Sequence, residues 1–414
     1  MYSDILARIP GPGSRRLALR VTPAAERALR QGHPWLFDQA ICQQSHDGQP
    51  GDLAVVFDRG RRFLAVGLYD PTSSIRVRVL QRGEPAPIDG DWFQARLAAA
   101  ARLRAPLLEE DTTGYRLVHG ENDGLPGLVV DRYGQTLVVK LYTVAWMPHL
   151  RDLLPALEKV LPAERLVLRL GRAVQGQPGY LCGLCDGVVI SGPDLDGPVI
   201  FGENGLRFEA DPIAGQKTGF FLDQRDNRTR VGRLGEGRAV LDVFAYTGGF
   251  SVYAARGGAR EIVSLDASRP ALAAAARNLA LNRHERSVAA ARHELLAEDA
   301  FEALARLGQS GRRFDLVVVD PPAFARRQAQ VAQALSAYRQ LTRLALGVLQ
   351  PGGTLVQASC SRPIGAEPFF AAVNEAAARA GRPLREIERT GHPLDHPIRF
   401  PEGAYLKCLF ATAP

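Results

Sequence analysis

At 414 residues the chain is too long for one ordinary core, so two or three domains are expected. A hydrophobic content of 46%, with 41 glycines and 28 prolines, marks a globular protein; no stretch approaches a charge-free membrane span, and the opening MYSDILARIPGPGSRR holds no long apolar core, which points to the cytoplasm and away from a membrane. The formal net charge of +7, carried mostly by arginine, suits a polyanionic partner such as nucleic acid, although an arginine-rich composition can also follow genome composition.

Five cysteines without regular spacing do not make a disulfide framework and fit a reducing compartment. Cys182 and Cys185 have C-x-x-C spacing, but no second pair or histidine couple accompanies them, so they are expected to be loop residues and no metal is expected.

From Arg16 to Gln81 the pattern is a small all-β module with one early helix, Pro23 to Gln31. Strands are expected at Leu53 to Phe57, Phe63 to Tyr69 and Ile75 to Leu80. Arg76 and Arg78 alternate with valines, which predicts a basic outer face. With Arg59, Arg61 and Arg62 they could line a patch for a nucleic-acid backbone, the alternative being a solvated surface. Trp35 and Phe37 are expected in the core.

Pro85 to Gly90 has the composition of a linker. A helix is then expected from about Asp91 to Leu107, strands at Leu128 to Arg132 and Thr136 to Leu141, a helix from about Met147 to Leu161, and a strand at Arg165 to Leu170. This is an α+β domain. His119, Glu121 and Asp123 share one glycine-rich turn, where side chains commonly hydrogen-bond the turn itself, so they are not expected to hold a metal. A hairpin around Glu203-Asn204-Gly205 leads to the aromatic and charged run from Gln216 to Arg228, placed so that it can fold over a ligand of the next domain.

Val240 to Ala245 is an apolar run ending in Tyr246-Thr247-Gly248-Gly249, after which Phe250, Val252, Tyr253 and Ala254 have helical spacing. Strand, glycine turn and helix in that order allow a ligand to approach the main chain near a helix N-terminus. A second strand, Glu261 to Leu265, ends at Asp266, about where a doubly wound sheet holds the hydroxyls of a ribose. Asp299, after a third short strand, could accept from an adenine amino group while Ala300 donates from its backbone. The strand Phe314 to Val319 runs into Asp320-Pro321-Pro322-Ala323-Phe324, where two prolines hold the acid stiffly at the strand end. A helix from Val331 to Leu349 and a strand from Thr354 to Ala358 follow, and Cys360 leaves at the same edge as Asp242, Asp266 and Asp320. The remainder, through His392-Pro393 and Pro401 to Lys407, is expected to supply the closing strands.

In combination and order, HPWLF, ENDGLPGLVVDRYG, KTGFFLDQRDNR, DVFAYTGGFS, DPPAF, SCS, DHP and PEGAYLK make the chain similar to the S-adenosylmethionine-dependent large-subunit rRNA 5-methylcytosine methyltransferases. The resemblance covers nearly the whole chain. It implies an α/β protein with an N-terminal PUA-like RNA-binding β-barrel (1–84), a central α+β domain (85–197) and a C-terminal Rossmann-like class I methyltransferase domain (198–414). The implied S-adenosylmethionine site takes in Asp242, Phe244, Tyr246, Thr247, Gly248, Gly249, Asp266, Ala267, Ser268, Asp299, Ala300 and Asp320, with Gln224 nearby. Cys360 is the implied nucleophile, and Pro321, Pro322 and Phe324 are candidates to contact the base. The implied partner is RNA, namely 23S rRNA or the large ribosomal subunit precursor; a homodimer is left open.

Carbon 5 of cytosine is too weak a nucleophile to take a methyl group unaided, and thiolate addition at carbon 6 turns the ring into an enamine that can. Asp320 would hydrogen-bond or protonate the ring nitrogen as charge builds. Some RNA 5-methylcytosine enzymes have a second cysteine after the two prolines; here that position is Ala323, so the base that removes the carbon 5 proton is not identified. An RNA N-methyltransferase gripping an exocyclic amine, with Phe324 stacked on the base, and a non-catalytic RNA-binding assembly factor stay open. An NAD oxidoreductase is a more distant alternative.

Overall fold

The computed structural model of the protein describes residues 6–414; the first five residues of the opening segment weighed above as a targeting signal lie outside the described residues. Among the described residues no helix is long and apolar enough to cross a membrane. The described residues divide into two compact units, one of residues 6–205, Ala210–Leu222 and Leu394–Gly403, the other of Leu206–Glu209, Asp223–Pro393 and Ala404–Pro414.

The first unit contains two sheets. The six-stranded sheet comprises β1 (Leu17–Val21), β2 (Trp35–Phe37), β3 (Ile41–Gln44), β4 (Leu53–Phe57), β5 (Phe63–Tyr69) and β6 (Ile75–Arg82), in the order β2-β6-β5-β4-β1-β3. The early helix, Pro23–Arg30, starts where Thr22 accepts from the Ala25 N–H at 3.3 Å and Pro23 supplies a pre-set backbone angle. The five-stranded sheet comprises β7 (Gly114–His119), β8 (Leu128–Tyr133), β9 (Thr136–Leu141), β10 (Arg165–Leu170) and β11 (Val188–Ser191), in the order β11-β10-β9-β8-β7. Strands β9 and β10 are parallel because the helix Leu150–Val160 carries the chain back between them. That helix and the helix Gly90–Glu109 bury Phe93, Leu97, Leu153 and Leu157 in a core shared with Trp146 and the sheet. The hairpin expected around Gly205 forms from β12 (Val199–Glu203) and β13 (Leu206–Ala210).

Three expectations for the first unit are corrected. Arg78 does not face outward: it is 7% exposed, it donates to the Ile75 carbonyl, and it lies 3.9 Å from the Asp70 carboxylate. The reason is that β6 sits between β2 and β5 inside the sheet, and both its faces are covered around Val77 to Leu80. Phe37 is not core but 37% exposed. Trp35 is half-buried and donates its indole N–H to Glu121 at 2.8 Å.

The second unit is built on seven strands, β14 (Ala239–Val243), β15 (Glu261–Leu265), β16 (Arg292–Leu296), β17 (Phe314–Val319), β18 (Leu349–Ser359), β19 (Arg385–Thr390) and β20 (Lys407–Thr412). Their order is β16-β15-β14-β17-β18-β20-β19. The first five are mutually parallel and β20 is inserted antiparallel between β18 and β19. This is a doubly wound, Rossmann-like sheet whose winding reverses between β14 and β17, the switch point at which such sheets bind ligands. Both faces are covered by helices, so Val240, Leu241, Val317 and Val318 are fully enclosed.

The closing strands are not where the sequence pattern put them. Residues 391–406 contain no strand; the strands are β19 and β20, and a helix the pattern did not announce, Ala366–Arg379, precedes them. Leu394–Gly403 belongs instead to the first unit, where the Asp395 carboxylate accepts from the Arg116 N–H at 2.9 Å and its carbonyl accepts from Arg104 at 2.9 Å.

Candidate functional site

Because β14 to β18 run parallel, the loops that follow them emerge at one edge of the sheet. Val243 pairs with Val319 and Val319 with Gln357, so Asp320 and Cys360 leave neighbouring strands close to the turn that follows β14. Thr390 ends β19 and Lys407 begins β20 at this same edge.

The turn after β14 is an unusual piece of backbone. Phe244 (φ 65), Tyr246 (φ 48) and Gly248 (φ 74) all occupy the left-handed region, which costs a non-glycine residue of order 1–3 kcal/mol. Four hydrogen bonds hold it there: Ala245 N to the Leu265 carbonyl at 3.0 Å, Gly248 N to Ala245 at 2.8 Å, Tyr246 N to the Asp266 carboxylate at 2.9 Å, and the Asn278 amide to the Thr247 carbonyl at 2.9 Å. At Gly248 a Cβ would stand 2.7 Å from that of Ala275, so only glycine lets the helix Arg269–Leu281 come this close. Gly249 opens the helix Gly249–Arg256 with its N–H groups towards the edge.

Asp242, one residue before the end of β14, is almost fully buried. Its Oδ2 accepts from the Ser251 N–H at 3.1 Å and hydroxyl at 2.7 Å, while its Oδ1 has no hydrogen-bond partner among the described residues. Burial pushes its carboxyl up to about 7, further raised by Asp266 and opposed by the Ser251 bonds and Arg228. The Ser251 hydroxyl continues to Ser264 at 2.7 Å and on to His293 at 2.8 Å, whose imidazole burial holds down to about 4. A buried acceptor oxygen at the mouth of a glycine turn fits a ligand that brings donors of its own.

The neighbouring loops add acceptors. Asp266 takes the Ser268 N–H at 2.8 Å on its other oxygen, and Ser268 caps the following helix by accepting from Ala271 at 3.3 Å; Ala267 between them is exposed. Asp299 is exposed and caps the helix Ala300–Gln309 through the N–H groups of Phe301 and Glu302, with Ala300 buried behind it. Gln224 is buried beside the helix Arg225–Arg233, accepting at 2.6 Å from Asn227, which in turn accepts from Thr390 at the end of β19.

At Cys360 the partly buried thiol lies 3.9 Å from the Pro321 carbonyl. The serines on either side hold it in place. Ser359 donates to the Tyr338 hydroxyl at 2.8 Å, and Ser361 shares a hydrogen bond with the same hydroxyl at 3.0 Å while accepting from the Ala325 N–H at 3.2 Å. The Asp-Pro-Pro loop and the cysteine loop are thereby tied together. Pro321 is buried and Pro322 exposed; Phe324 is partly buried, its ring 5.1 Å from that of Tyr338. Tyr338, Ser361 and Lys407 were not singled out from the sequence, although Lys407 stood in the PEGAYLK motif as one of only four lysines.

The basic residues of the first unit do not form one patch. Arg59, Arg61 and Arg62 are exposed on the turn between β4 and β5, with Arg62 2.9 Å from Asp58 and Arg59 3.8 Å from Glu26. Arg76 follows the opposite end of β5, roughly 20 Å away by strand rise, and is tied to the carbonyls of Asp70 and Pro71. Asp123 in the glycine-rich turn accepts from the His119 N–H at 2.6 Å and from both terminal nitrogens of Arg104 at 2.8 and 2.7 Å. Among the described residues no cluster of three or more His, Cys, Asp or Glu could hold a metal ion.

Comparison with known proteins bears on this arrangement. Residues 115–411 match the family model described as S-adenosylmethionine-dependent methyltransferase, and residues 19–82 match that of a PUA-like domain. The chain is 50% identical over 406 residues to a ribosomal RNA large subunit methyltransferase of Deinococcus radiodurans, covering 97% of this chain and 98% of the relative. It is 38% identical over 403 residues to ribosomal RNA large subunit methyltransferase I of Shewanella amazonensis, covering 95% and 99%. In fold it matches a Streptococcus mutans protein described as an S-adenosylmethionine-dependent methyltransferase, with a TM-score of 0.80 at 20% identity over 95% of this chain and 99% of that one. A structure described as a methyltransferase complexed with SAH gives the same score at 20% identity over 96% and 99%. The sheet order, the PUA-like module and this full-length similarity together establish that the chain belongs to the family of S-adenosylmethionine-dependent large-subunit ribosomal RNA methyltransferases that carry a PUA-like domain.

Proposed function

We propose that the protein transfers a methyl group to carbon 5 of a cytidine in large-subunit ribosomal RNA, with Cys360 as the nucleophile. The observation that carries this reading is the junction of two loops: a thiol at the end of β18 lies 3.9 Å from the Pro321 carbonyl, beside the acid that ends β17 and on the edge that carries the glycine turn. The relatives' names supply the substrate class. An RNA of that kind makes the cytoplasm the proposed place of work. S-adenosylmethionine, when bound, supplies an electrophilic methyl group.

The proposed holders of that cofactor are the residues around the Asp242 turn. The Asp242 Oδ1 and Asp266 oxygens accept from its donors, the Gly248 and Gly249 main chain allows close approach, and Asp299 with the Ala300 N–H faces its base, with Gln224 beside them. Cys360 adds as thiolate to carbon 6 of the cytosine, forming a C–S bond and turning the ring into an enamine nucleophilic at carbon 5. Asp320 holds the ring nitrogen by hydrogen bond or proton as charge develops there. After carbon 5 has taken the methyl group, its proton leaves to a base, the C–S electrons return to sulfur, and the double bond re-forms. Pro321, Pro322 and Phe324 border the flipped base, and the exposed Arg59, Arg61 and Arg62 meet the RNA backbone elsewhere.

The test is to supply methyl-labelled cofactor with unmodified ribosomal RNA or subunits, digest to nucleosides, and identify the labelled one. Label in 5-methylcytidine supports the reading. Label in an N-methylated nucleoside assigns the site to exocyclic-amine chemistry, and no label on any form of the substrate removes the catalytic reading.

A further inference from the structure

Lys407 opens β20 directly opposite Ser359 in antiparallel register. Opposed residues of such a pair project to the same face, which sets the lysine beside the segment that carries Cys360. It is 4% exposed, a rare state for an ammonium group. Its Nζ donates to the carbonyls of Ser361 at 2.7 Å, Ile364 at 2.7 Å and Tyr405 at 3.0 Å. An ammonium has three N–H donors, so all of them are engaged by main-chain oxygens. The group is therefore fixed in direction and does not reach out to exchange a proton with a substrate. What it contributes is a stationary positive charge.

A buried cation is expensive unless an opposite charge faces it. Burial pushes the Lys407 ammonium down to about 8, and the group that opposes this is Cys360 in its thiolate form. Attraction between two groups is mutual, so the lysine favours ionisation of the cysteine as much as the thiolate favours the ammonium. Two of its three acceptors, Ser361 and Ile364, lie within four residues after Cys360, so the same bonds hold the loop.

We propose that Lys407 is the positioning residue of Cys360: seated on the carbonyls of Ser361, Ile364 and Tyr405, its fixed charge keeps the sulfur reactive as thiolate and anchors the loop that presents it. The proposal rests on Cys360 being the nucleophile. Tyr338 is a poorer source of that effect, because its hydroxyl is neutral, buried and held by Ser359 and Ser361.

The experiment uses the full chain. Cys360 is alkylated with iodoacetamide across a pH series, and the extent of modification of its own peptide is read by mass spectrometry. In the wild type the thiol is expected to titrate below the ordinary value of about 8.5. In Lys407→Met the midpoint is expected to rise by at least about one pH unit, a roughly tenfold loss of thiolate near neutrality; Lys407→Arg, which keeps the charge, is expected to hold the low midpoint. A wild-type midpoint at or above about 8.5, or equal midpoints in wild type and Lys407→Met, would overturn the proposal. If Lys407→Met does not fold, the wild-type titration and Lys407→Arg still decide. Methyl transfer by Lys407→Met is expected to fall about tenfold at neutral pH and to recover as pH rises, a profile that a merely structural lysine does not give. Methyl transfer retained by Cys360→Ala would remove the nucleophile itself, whereas an essential Cys360 with an ordinary titration removes only the role of Lys407.

Discussion

The Ser361 hydroxyl accepts a hydrogen bond from the Ala325 main-chain N–H at 3.2 Å. This contact, with that of the Cys360 thiol on the Pro321 carbonyl, ties the loop that leaves β17 with Asp320 to the loop that leaves β18 with Cys360, and Tyr338 braces the joint from below at 3.0 Å. Ser361→Ala leaves the buried Ala325 N–H without its acceptor. A stability loss of about 1–3 kcal/mol is expected in denaturant unfolding. Methyl transfer should fall by about 10-fold to 100-fold, because the two loops lose their common register. A variant equal to wild type in both measurements would show that the joint is unimportant.

Cys360→Ala removes the nucleophile without touching the Asp242 turn. Its cofactor affinity, by calorimetry, is expected within about twofold of wild type, while product formation falls at least about a thousandfold. Loss of cofactor binding instead would place the thiol in the cofactor site.

Asp242 makes the ligand-free protein and its complex respond to pH in opposite senses. Its carboxyl ionises at about 7 in the fold against an ordinary 3.8. Between those values the folded state keeps a proton that the unfolded chain has lost, so stability of the ligand-free protein is expected to fall as pH rises from about 4 to about 7. Donors on the cofactor favour the carboxylate, so affinity should rise through the same pH region, about tenfold between pH 6 and pH 8. Asp242→Asn should flatten both trends. Calorimetric titrations at several pH values check the sign, and an affinity that falls with pH would contradict it.

Gly248→Ala places a Cβ 2.7 Å from that of Ala275 and forces alanine to φ 74. The expected cost is about 1–3 kcal/mol in unfolding, with weaker cofactor binding as the turn shifts. Unchanged stability would mean that the helix Arg269–Leu281 can retreat freely.

The sheet edge was legible because its signals are local. Leu316 to Val319 is an unbroken apolar run, as a strand covered on both faces must be, and the acids that follow Val319 and Leu265 stand at strand ends whatever packs around them. The pattern failed where tertiary packing decides. Arg78 alternates with valines as an exposed residue would, yet Asp70 and the Ile75 carbonyl receive it inside the sheet. Residues 391–406 carry turn and aromatic residues in strand-like spacing, but Asp395 is claimed by Arg104 and Arg116, nearly three hundred residues earlier in the chain. Lys407 was hidden for the same reason, since its three acceptors are main-chain carbonyls that no side-chain pattern marks.

The most direct test of the central claim is to incubate the protein and cofactor with ribosomal RNA in which cytidines are replaced by 5-fluorocytidine. Fluorine at carbon 5 cannot leave as a proton does, so the thiol cannot depart once carbon 5 has taken the methyl group. An RNA–protein species stable to denaturant is expected, cross-linked at Cys360 by peptide mass spectrometry and absent from Cys360→Ala. Methyl transfer to unmodified RNA with no such species, or a cross-link at another residue, would contradict it.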